Sequence, residues 1–283
     1  MKNIVFIGGD ARTVFAAEYL KRLGNRCEVE PPNFEEAEIS ETMRGSDVQT
    51  IAVLPHPYSV DGIIKGTTEL TKAALLPLLP QGSILLGGGF DSDFCKAAEE
   101  LGIETYDYAK DEEYLLENAG LTAEGALGYI LSESSKSISE SDILILGSGR
   151  IASSLFELLE LIGTDSVSII MRNNEKRYNY IRKGISAFSF EELPLVIGGA
   201  DVVINTVPHA VISNDLFVLV KPGAYFIELA SQNGFDIKAA ESFGINAQIK
   251  RGIPGKCAPK SAGGVLARAI DRTIKNLDGG SLR

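Results

Sequence analysis

The segment ILILGSGRIAS, residues 143–153, constrains the fold of this chain more than any other stretch. A short apolar run leads directly into the spacing Gly147-x-Gly149-x-x-Ala152 and then into an amphipathic pattern of helical period. In such a β–α turn the first glycine permits the tight turn, the second lets a pyrophosphate approach the backbone, and the small third residue allows close helix–strand packing. The pattern predicts a Rossmann-type unit that binds a dinucleotide; an ordinary β–α turn is the alternative. The predicted pyrophosphate contacts are Gly147, Ser148, Gly149, Arg150 and Ile151.

The residues after the second strand of this unit bear on which cofactor it binds. NAD-binding units place an acidic residue about 20 residues beyond the glycines, where it holds the ribose 2′-OH. This chain has IIMRNNEKR at residues 169–177, with Arg172 and Asn173 at the strand end and Lys176 and Arg177 behind them. Cationic and amide groups suit a 2′-phosphate. The sequence therefore predicts NADP in preference to NAD, although NAD is possible and a solvated basic turn is the alternative.

Two further strand ends belong to the same predicted edge of the sheet. INTVP, residues 204–208, supplies a polar turn where the nicotinamide ribose would lie, and ELAS, residues 228–231, ends the following strand. The carboxyl ends of parallel strands meet at one edge. The additional predicted cofactor contacts are Asn205, Thr206, Val207, Pro208 and Ala230.

The N-terminal half repeats the alternation of short apolar runs and helical patterns, as in NIVFIGG, QTIAVLP, GSILLGG and IETYDY. Such alternation is typical of a parallel sheet with crossover helices. We expect an α/β protein of two Rossmann-like, doubly wound parallel-sheet domains with a cleft between them. The expected domains are a flavodoxin- or Rossmann-like substrate and catalytic domain at residues 1–130 and an NADP-binding domain at residues 131–283. Whether the last helix, at about residues 258–277, packs back on the first domain is left open.

Composition narrows the partners. The net charge of −11 opposes nucleic-acid binding, and no apolar run is long enough for a membrane span. The chain starts without a signal-peptide pattern, and Cys27, Cys95 and Cys257 lack metal-site or disulfide spacing. With only two histidines, a metal site is not expected. We expect a cytoplasmic protein whose partner is a small molecule or a protein.

Three segments outside the dinucleotide fingerprint carry the predicted substrate contacts. IGGDART, residues 7–13, is either an anion site on the substrate side or a structural turn. RGIPGKCAPKSAGG, residues 251–264, is either a linker or a loop that holds an anion at the start of the last helix, with Lys256 solvated. NAGLTAEGAL, residues 118–127, is either a helix cap or a substrate wall. The predicted substrate-binding residues are Gly9, Asp10, Arg12, Thr122, Pro254, Gly255 and Ser261.

The two histidines, His56 and His209, both follow predicted strands beside a proline. Either is a candidate acid or base near neutral pH. A structural hydrogen bond is the preferred interpretation of His56, whereas His209 falls nearer the predicted nicotinamide.

The order of IGGDAR, NAGLTAEGAL, LGSGRIAS, INTVP, ELAS and GIPGKCAPKSAGGVLA resembles the A subunits of dipicolinate synthase from spore-forming bacteria. The family pattern has proline where this chain has Leu121. The resemblance implies two Rossmann-like domains, a nicotinamide cofactor in the second, and oxidation of a dihydrodipicolinate-type precursor to pyridine-2,6-dicarboxylate during sporulation. It also implies that the partner is a flavoprotein-like B subunit and that the location is the mother-cell cytoplasm. We further expect a homo-oligomer, such as a dimer.

The implied oxidation removes one hydride and one proton from the ring, and its substrate carries two carboxylates that need cationic or N–H-rich partners. Arg12 and Lys260 are the predicted carboxylate partners. The catalytic residues predicted on this basis are Lys260, His209 and Glu124, and the base is His209, Glu124 or a water molecule. Two alternatives remain: a shikimate-dehydrogenase-like NADP reductase of another small acid, and a non-catalytic subunit that only binds the cofactor.

Overall fold

The computed structural model describes residues 2–30, 39, 41–43 and 50–279. The first elements in chain order are β1 (Asn3–Phe6), α1 (Ala11–Arg22), β2 (Arg26–Val29), β3 (Thr50–Val53), β4 (Ser59–Val60), β5 (Ile63–Ile64), α2 (Lys72–Leu75), β6 (Ile84–Gly87), α3 (Ser92–Glu100), β7 (Glu104–Asp107) and α4 (Glu112–Glu133). They are followed by β8 (Asp142–Leu146), α5 (Arg150–Ile162), β9 (Ser166–Ile170), α6 (Asn174–Arg182), β10 (Ser186–Phe188), α7 (Leu193–Val196), β11 (Val202–Asn205), β12 (Tyr225–Glu228), α8 (Ile237–Ser242), β13 (Asn246–Ile249), α9 (Ile253–Cys257) and α10 (Pro259–Asp278). No helix in the described part of the chain is both long enough and apolar enough to span a membrane.

Two parallel sheets confirm the predicted α/β fold. The first has strand order β2-β1-β3-β6-β7, and the second has order β10-β9-β8-β11-β12-β13. Ranked by position along the chain, these are the orders 2-1-3-4-5 and 3-2-1-4-5-6, the two common doubly wound arrangements. In each sheet the chain leaves two adjacent strands toward opposite sides, at β1/β3 in the first and at β8/β11 in the second. Ligands bind beyond the carboxyl ends of the strands at such a switch point.

Each sheet belongs to its own compact unit. Unit 1 contains Met1–Asn118 and Pro254–Arg283, and unit 2 contains Ala119–Ile253. These units differ from the domains expected at 1–130 and 131–283, because α4 continues unbroken through the first boundary and α10 packs along α1 in unit 1. Where the family pattern has proline, Leu121 lies inside α4, and it preserves a hydrogen bond that proline would remove.

Burial on both faces of each sheet explains why these short apolar runs form strands. In unit 2, Ile143 and Ile145 of β8 join one apolar cluster, whereas Leu144 and Leu146 join a second cluster. Strand side chains alternate between the two faces, so helices must cover both sides of the sheet. The central strand of unit 1, β3, is likewise buried along its whole length.

Candidate functional site

The glycine turn of unit 2 has the geometry that the dinucleotide pattern requires. Gly147 has φ +114°, and a Cβ there would collide with the hydroxyl of Thr206. Gly149 is the N-cap of α5, and apart from its own chain neighbours no atom of the described residues lies within 4 Å of the position that its Cβ would occupy. The buried Ala152 permits close packing of α5 on the sheet. This open helix N-terminus at the β8/β11 switch point fits a pyrophosphate.

Lys176 supports this turn from α6. Its Nζ donates to the carbonyl oxygen of Ser148 at 2.6 Å and lies 3.5 Å from the hydroxyl of Ser153. Arg177 is also engaged, because its guanidinium donates to Glu192 at 2.7 Å. Both side chains are therefore already hydrogen-bonded within the protein. Arg172 is the exposed cation among the residues predicted to bind a 2′-phosphate.

Arg172 lies just past the end of β9, where an NAD-binding unit would carry its acidic residue. Its side chain is exposed and its guanidinium carbon lies 5.8 Å from the centroid of the Phe190 ring. Asn173 is the N-cap of α6, and its side-chain oxygen accepts the N–H of Lys176 at 2.8 Å. The end of β9 thus carries an exposed guanidinium that makes a cation–π contact with Phe190.

Asn205, which the sequence predicts to contact the cofactor, is buried and hydrogen-bonded to Glu228. Its side chain is fully buried, and its Nδ2 lies 2.9 and 2.8 Å from the two carboxylate oxygens of Glu228 and 3.0 Å from the carbonyl oxygen of Val207. Glu228 also accepts the N–H groups of Ala230 at 2.8 Å and Gly234 at 2.7 Å. Burial raises the pKa of Glu228, and these hydrogen bonds oppose the rise. The pair ties the ends of β11 and β12 together, so Asn205 positions the strand ends.

The sequence alone did not reveal the role of Glu228, which was visible only as the end of an apolar strand. A charged residue inside the pattern AYFIELAS was the available signal. The other residues predicted at this edge lie at the strand ends. Thr206 and Val207 are half-buried, Pro208 and His209 are exposed, and Ala230 is buried.

In unit 1, the IGGDART turn is covered by the segment that follows the β4–β5 hairpin. The N–H of Gly9 donates to the carbonyl oxygen of Lys65 at 2.7 Å, and a Cβ on Gly66 would overlap the backbone of Gly9. Gly9 has φ +102°. The N–H group of Gly9 is thus engaged in this backbone contact.

Asp10 and Arg12 form a bidentate ion pair beside this turn. Nε and one terminal nitrogen of Arg12 each lie 2.8 Å from a carboxylate oxygen of Asp10, which also caps α1 by accepting the Arg12 N–H at 3.1 Å. The Arg12 side chain is only 11% exposed. A Cβ on Gly255 would lie 3.0 Å from Arg12 Nε and from Asp10 Oδ2, so α9 lies directly against the pair. The structure thus brings together four predicted substrate residues: Gly9, Asp10, Arg12 and Gly255.

Most of the stretch at residues 251–264 is helical, in α9 and the first turns of α10, which corrects the expectation of a loop. Pro254 is buried in the short helix α9, and Pro259 occupies the first turn of α10. Proline is compatible with a first helical turn, where its missing N–H would have no intrahelical partner. Lys260 and Ser261 are exposed in the first turn of α10. Gly263 faces α1, where a Cβ would lie 2.5 Å from Phe15 Cβ.

Thr122 and Glu124 lie within α4, and this overturns the interpretation of that segment as the start of a second helix. The helix runs without interruption from Glu112 to Glu133. Thr122 is buried and Glu124 is exposed on the same helix, in unit 2. His56, as expected, makes a hydrogen bond: its Nδ1 lies 3.1 Å from the hydroxyl of Tyr114.

Comparison with known proteins agrees with this fold. Residues 125–240 match the family model described as D-isomer specific 2-hydroxyacid dehydrogenase, NAD binding domain. The structure resembles that of D-2-hydroxyisocaproate dehydrogenase with a TM-score of 0.63, at 16% identity over 99% of this chain and 98% of that one. The fold and the glycine turn define the class that the chain resembles, the NAD(P)-dependent oxidoreductases.

Within that class, the chain is similar to the A subunit of dipicolinate synthase from Bacillus subtilis (strain 168), at 27% identity over 157 residues. That alignment covers 55% of this chain and 52%, about half, of the curated relative. The crystal structure of the dipicolinate synthase A subunit from Bacillus subtilis superimposes with a TM-score of 0.82, at 21% identity over 99% of this chain and 97% of that one. The resemblance predicted from the order of the motifs is confirmed.

Proposed function

We propose that this chain is the cofactor-binding subunit of an NADP-dependent oxidoreductase that converts a dihydrodipicolinate-type precursor to dipicolinate during spore formation. The observation that carries the proposal is the open glycine turn of unit 2 with Arg172 at the end of β9, in a chain similar to the dipicolinate synthase A subunit. The proposal includes a partner that is a flavoprotein-like B subunit, a homo-oligomer, and the mother-cell cytoplasm as location.

The residues of unit 2 suit each part of the cofactor. The N–H groups from Ser148 to Ile151 would bind the pyrophosphate, and Arg172 would pair with the 2′-phosphate while resting on the Phe190 ring. When bound, NADP⁺ supplies a hydride acceptor at nicotinamide C4. The bond between Asn205 and Glu228 holds the ends of β11 and β12 in place for that ring.

The chemistry is a balanced loss of one hydride and one proton from the partly reduced ring, which becomes aromatic. Arg12 of unit 1 and Lys260 are the proposed partners of the two substrate carboxylates, since both are cations. His209 and Glu124 are exposed side chains of unit 2 and are the proposed proton acceptors. Changing the acceptor, His209→Asn or Glu124→Gln, should lower kcat and shift its pH profile while NADP binding is unchanged.

Cofactor choice is tested by titrating NADPH and NADH into the purified chain and into Arg172→Ala. Loss of a charge-assisted hydrogen bond costs about 1.5–3 kcal/mol, which corresponds to roughly tenfold weaker binding or more. We expect this loss for NADPH and little change for NADH. Arg182→Ala is the matched control, because Arg182 is an exposed arginine in the last turn of α6, the helix that follows Arg172. Equal loss for both cofactors would contradict the assignment of Arg172.

The activity is tested by NADPH formation from dihydrodipicolinate, with and without the B subunit. A second candidate, oxidation of a small 2-hydroxy acid, is favoured by the family model that matches residues 125–240, and lactate and shikimate serve as comparison substrates. Turnover of dihydrodipicolinate, without turnover of lactate or shikimate, supports the proposal. Turnover of a 2-hydroxy acid or of shikimate in its place, or no turnover with both subunits present, would refute it.

A further inference from the structure

Further polar side chains lie beside the Asp10–Arg12 pair at the switch point of unit 1. β1 and β3 are adjacent parallel strands, and the chain leaves β1 through Gly8–Arg12 and leaves β3 through Pro55 and His56. Crevices beyond the carboxyl ends of strands at such a point are ligand sites in open α/β sheets. The side chains gathered there therefore indicate what ligand unit 1 accepts.

Lys65 is a second cation at this point, and no sequence pattern singled it out. Its backbone is fixed to the first β–α turn by the bond from Gly9 N–H, and its Nζ lies 3.4 Å from the carbonyl oxygen of His56. Burial lowers the pKa of Lys65, and the charge of Arg12 lowers it further. A cation held half-buried near another cation is stabilised when an anion binds, because the anion relieves both effects.

The charges at the switch point do not cancel. Asp10 is the carboxylate that neutralises Arg12, while Lys65 also feels the positive charges of Arg12 and Lys256. Arg12, Lys65 and Lys256 are three cations, and Asp10 and Asp107 are two carboxylates, which leaves one net positive charge. The whole chain carries a net charge of −11, so this concentration of positive charge is local.

His56 adds a neutral polar group held by a buried tyrosine. Burial raises the pKa of Tyr114 to about 12, so its hydroxyl keeps its proton at neutral pH. Burial, followed by the charge of Arg12, lowers the pKa of His56, so the imidazole is neutral there. Gly88 makes room for the ring, because a Cβ at that position would lie 2.5 Å from His56 Cβ. The ring is therefore positioned by packing and by its bond to Tyr114.

We propose that the carboxyl edge of β1 and β3 is a carboxylate-binding site in which Lys65 and Arg12 are the cationic groups and His56 is a neutral hydrogen-bonding group. The ligand class is a small, planar dicarboxylate, and only this choice of class rests on the proposed function. Lysine and arginine offer donors alone, which matches a carboxylate, a group that accepts hydrogen bonds and carries negative charge. Lys65 belongs to the segment that covers the first turn, so binding of the ligand depends on the position of that segment.

The test measures binding of dipicolinate to the full chain by titration calorimetry, in the absence of cofactor. Lys65→Met removes the charge and keeps the length of the side chain, and we expect at least tenfold weaker binding. Lys96→Met is the matched control on α3, because Lys96 is an exposed lysine of the same unit. Circular dichroism and NADPH binding, measured on every variant, establish that unit 2 is intact.

The variant His56→Gln distinguishes a ligand-binding role of His56 from a purely structural one. The charged and titratable groups that act on His56 are Arg12, Lys65 and Asp107, and Tyr114 donates or accepts at Nδ1. The imidazole is neutral in the free protein, and a bound carboxylate favours its protonation, so the affinity of the wild type for dipicolinate should rise as pH falls below about 6.5, the ordinary histidine value. The rise should be absent in His56→Gln.

Each outcome decides one proposal. Unchanged binding in Lys65→Met, or no binding of dipicolinate to the wild type, overturns the site. Inorganic phosphate that binds as tightly as dipicolinate, with the same dependence on Lys65, overturns the carboxylate assignment. A failure to bind NADPH contradicts the proposed function and leaves the carboxylate result standing, because the two ligands are titrated separately.

Discussion

The close approach of α10 to α1 can be tested at Gly263. A Cβ at this position would lie 2.5 Å from Phe15 Cβ and 2.7 Å from the backbone carbonyl oxygen of Arg12. The carbonyl oxygen cannot move away without moving α1 itself. Overpacking of this kind costs about 1–3 kcal/mol, and replacing a helical glycine by alanine returns up to about 1 kcal/mol. We expect Gly263→Ala to lower the free energy of unfolding by about 1–2 kcal/mol.

The neighbouring Gly264 provides a control with the same change in helix propensity. The nearest atom to its added Cβ is a terminal nitrogen of Arg268 at 3.5 Å, which is ordinary contact with a flexible side chain. Gly264→Ala should therefore raise the stability by about 0.5–1 kcal/mol. The two variants should lie on opposite sides of the wild type.

Urea unfolding followed by tyrosine fluorescence and circular dichroism measures both variants, since the chain has nine tyrosines and no tryptophan. Because the Arg12 carbonyl is one of the obstructing atoms, Gly263→Ala should also weaken dipicolinate binding, and Gly264→Ala should leave it unchanged. If both variants were stabilised to the same extent, the close packing of α10 on α1 would be refuted.

Three further predictions concern a carboxylate and two glycines. Burial raises the pKa of Asp201, but bonds from two lysines and a backbone N–H outweigh it and set the pKa at about 2. The folded pKa lies below the unfolded value of about 3.9, so this stabilisation is complete above that value and is lost as pH falls through about 2. The urea midpoint of Asp201→Asn should therefore fall less than that of the wild type as pH is lowered over that interval. A Cβ on Gly234 would overlap Asn205 Nδ2, so Gly234→Ala should lower the free energy of unfolding by about 1–3 kcal/mol and weaken NADPH binding, and wild-type values for both would contradict the buried pair. Gly66 and Gly62 have φ of +83° and +81°, but only Gly66 meets backbone at its Cβ position, so Gly66→Ala should destabilise the chain more than Gly62→Ala, and equal urea midpoints would count against the covered turn.

Strong local patterns made most of the fold predictable. The apolar runs of the sequence became the buried strands β1, β3, β6, β8 and β11, because a strand covered on both faces needs a continuous apolar sequence. The strands that these patterns did not predict are short or lie at sheet edges. β2 has the sequence RCEV, β10 has three residues, and β4 and β5 have two each. In such segments pairing with a neighbouring strand outweighs intrinsic preference.

Some residues of the candidate sites were likewise predictable from local sequence, and others were not. Glycine positions and the strand-end arginine are set by local backbone geometry, so the turn at Gly147 and the placement of Arg172 follow from the sequence. Lys65 could not be recognised in this way, because it lies beyond the hairpin and reaches the first turn only through tertiary contact.

The sequence by itself determined that this chain alternates strands and helices, that its second unit has a dinucleotide turn, and that its motifs resemble dipicolinate synthase A subunits. Each rests on spacing within a few residues, which local sterics and hydrogen bonding control. Only the tertiary structure decided that α10 joins unit 1, that Asn205 is hydrogen-bonded to Glu228, and that Lys65 lies against the turn that carries Arg12. These contacts join residues far apart in the chain, and the packing of helices and strands, with the cost of burying charge, selects them.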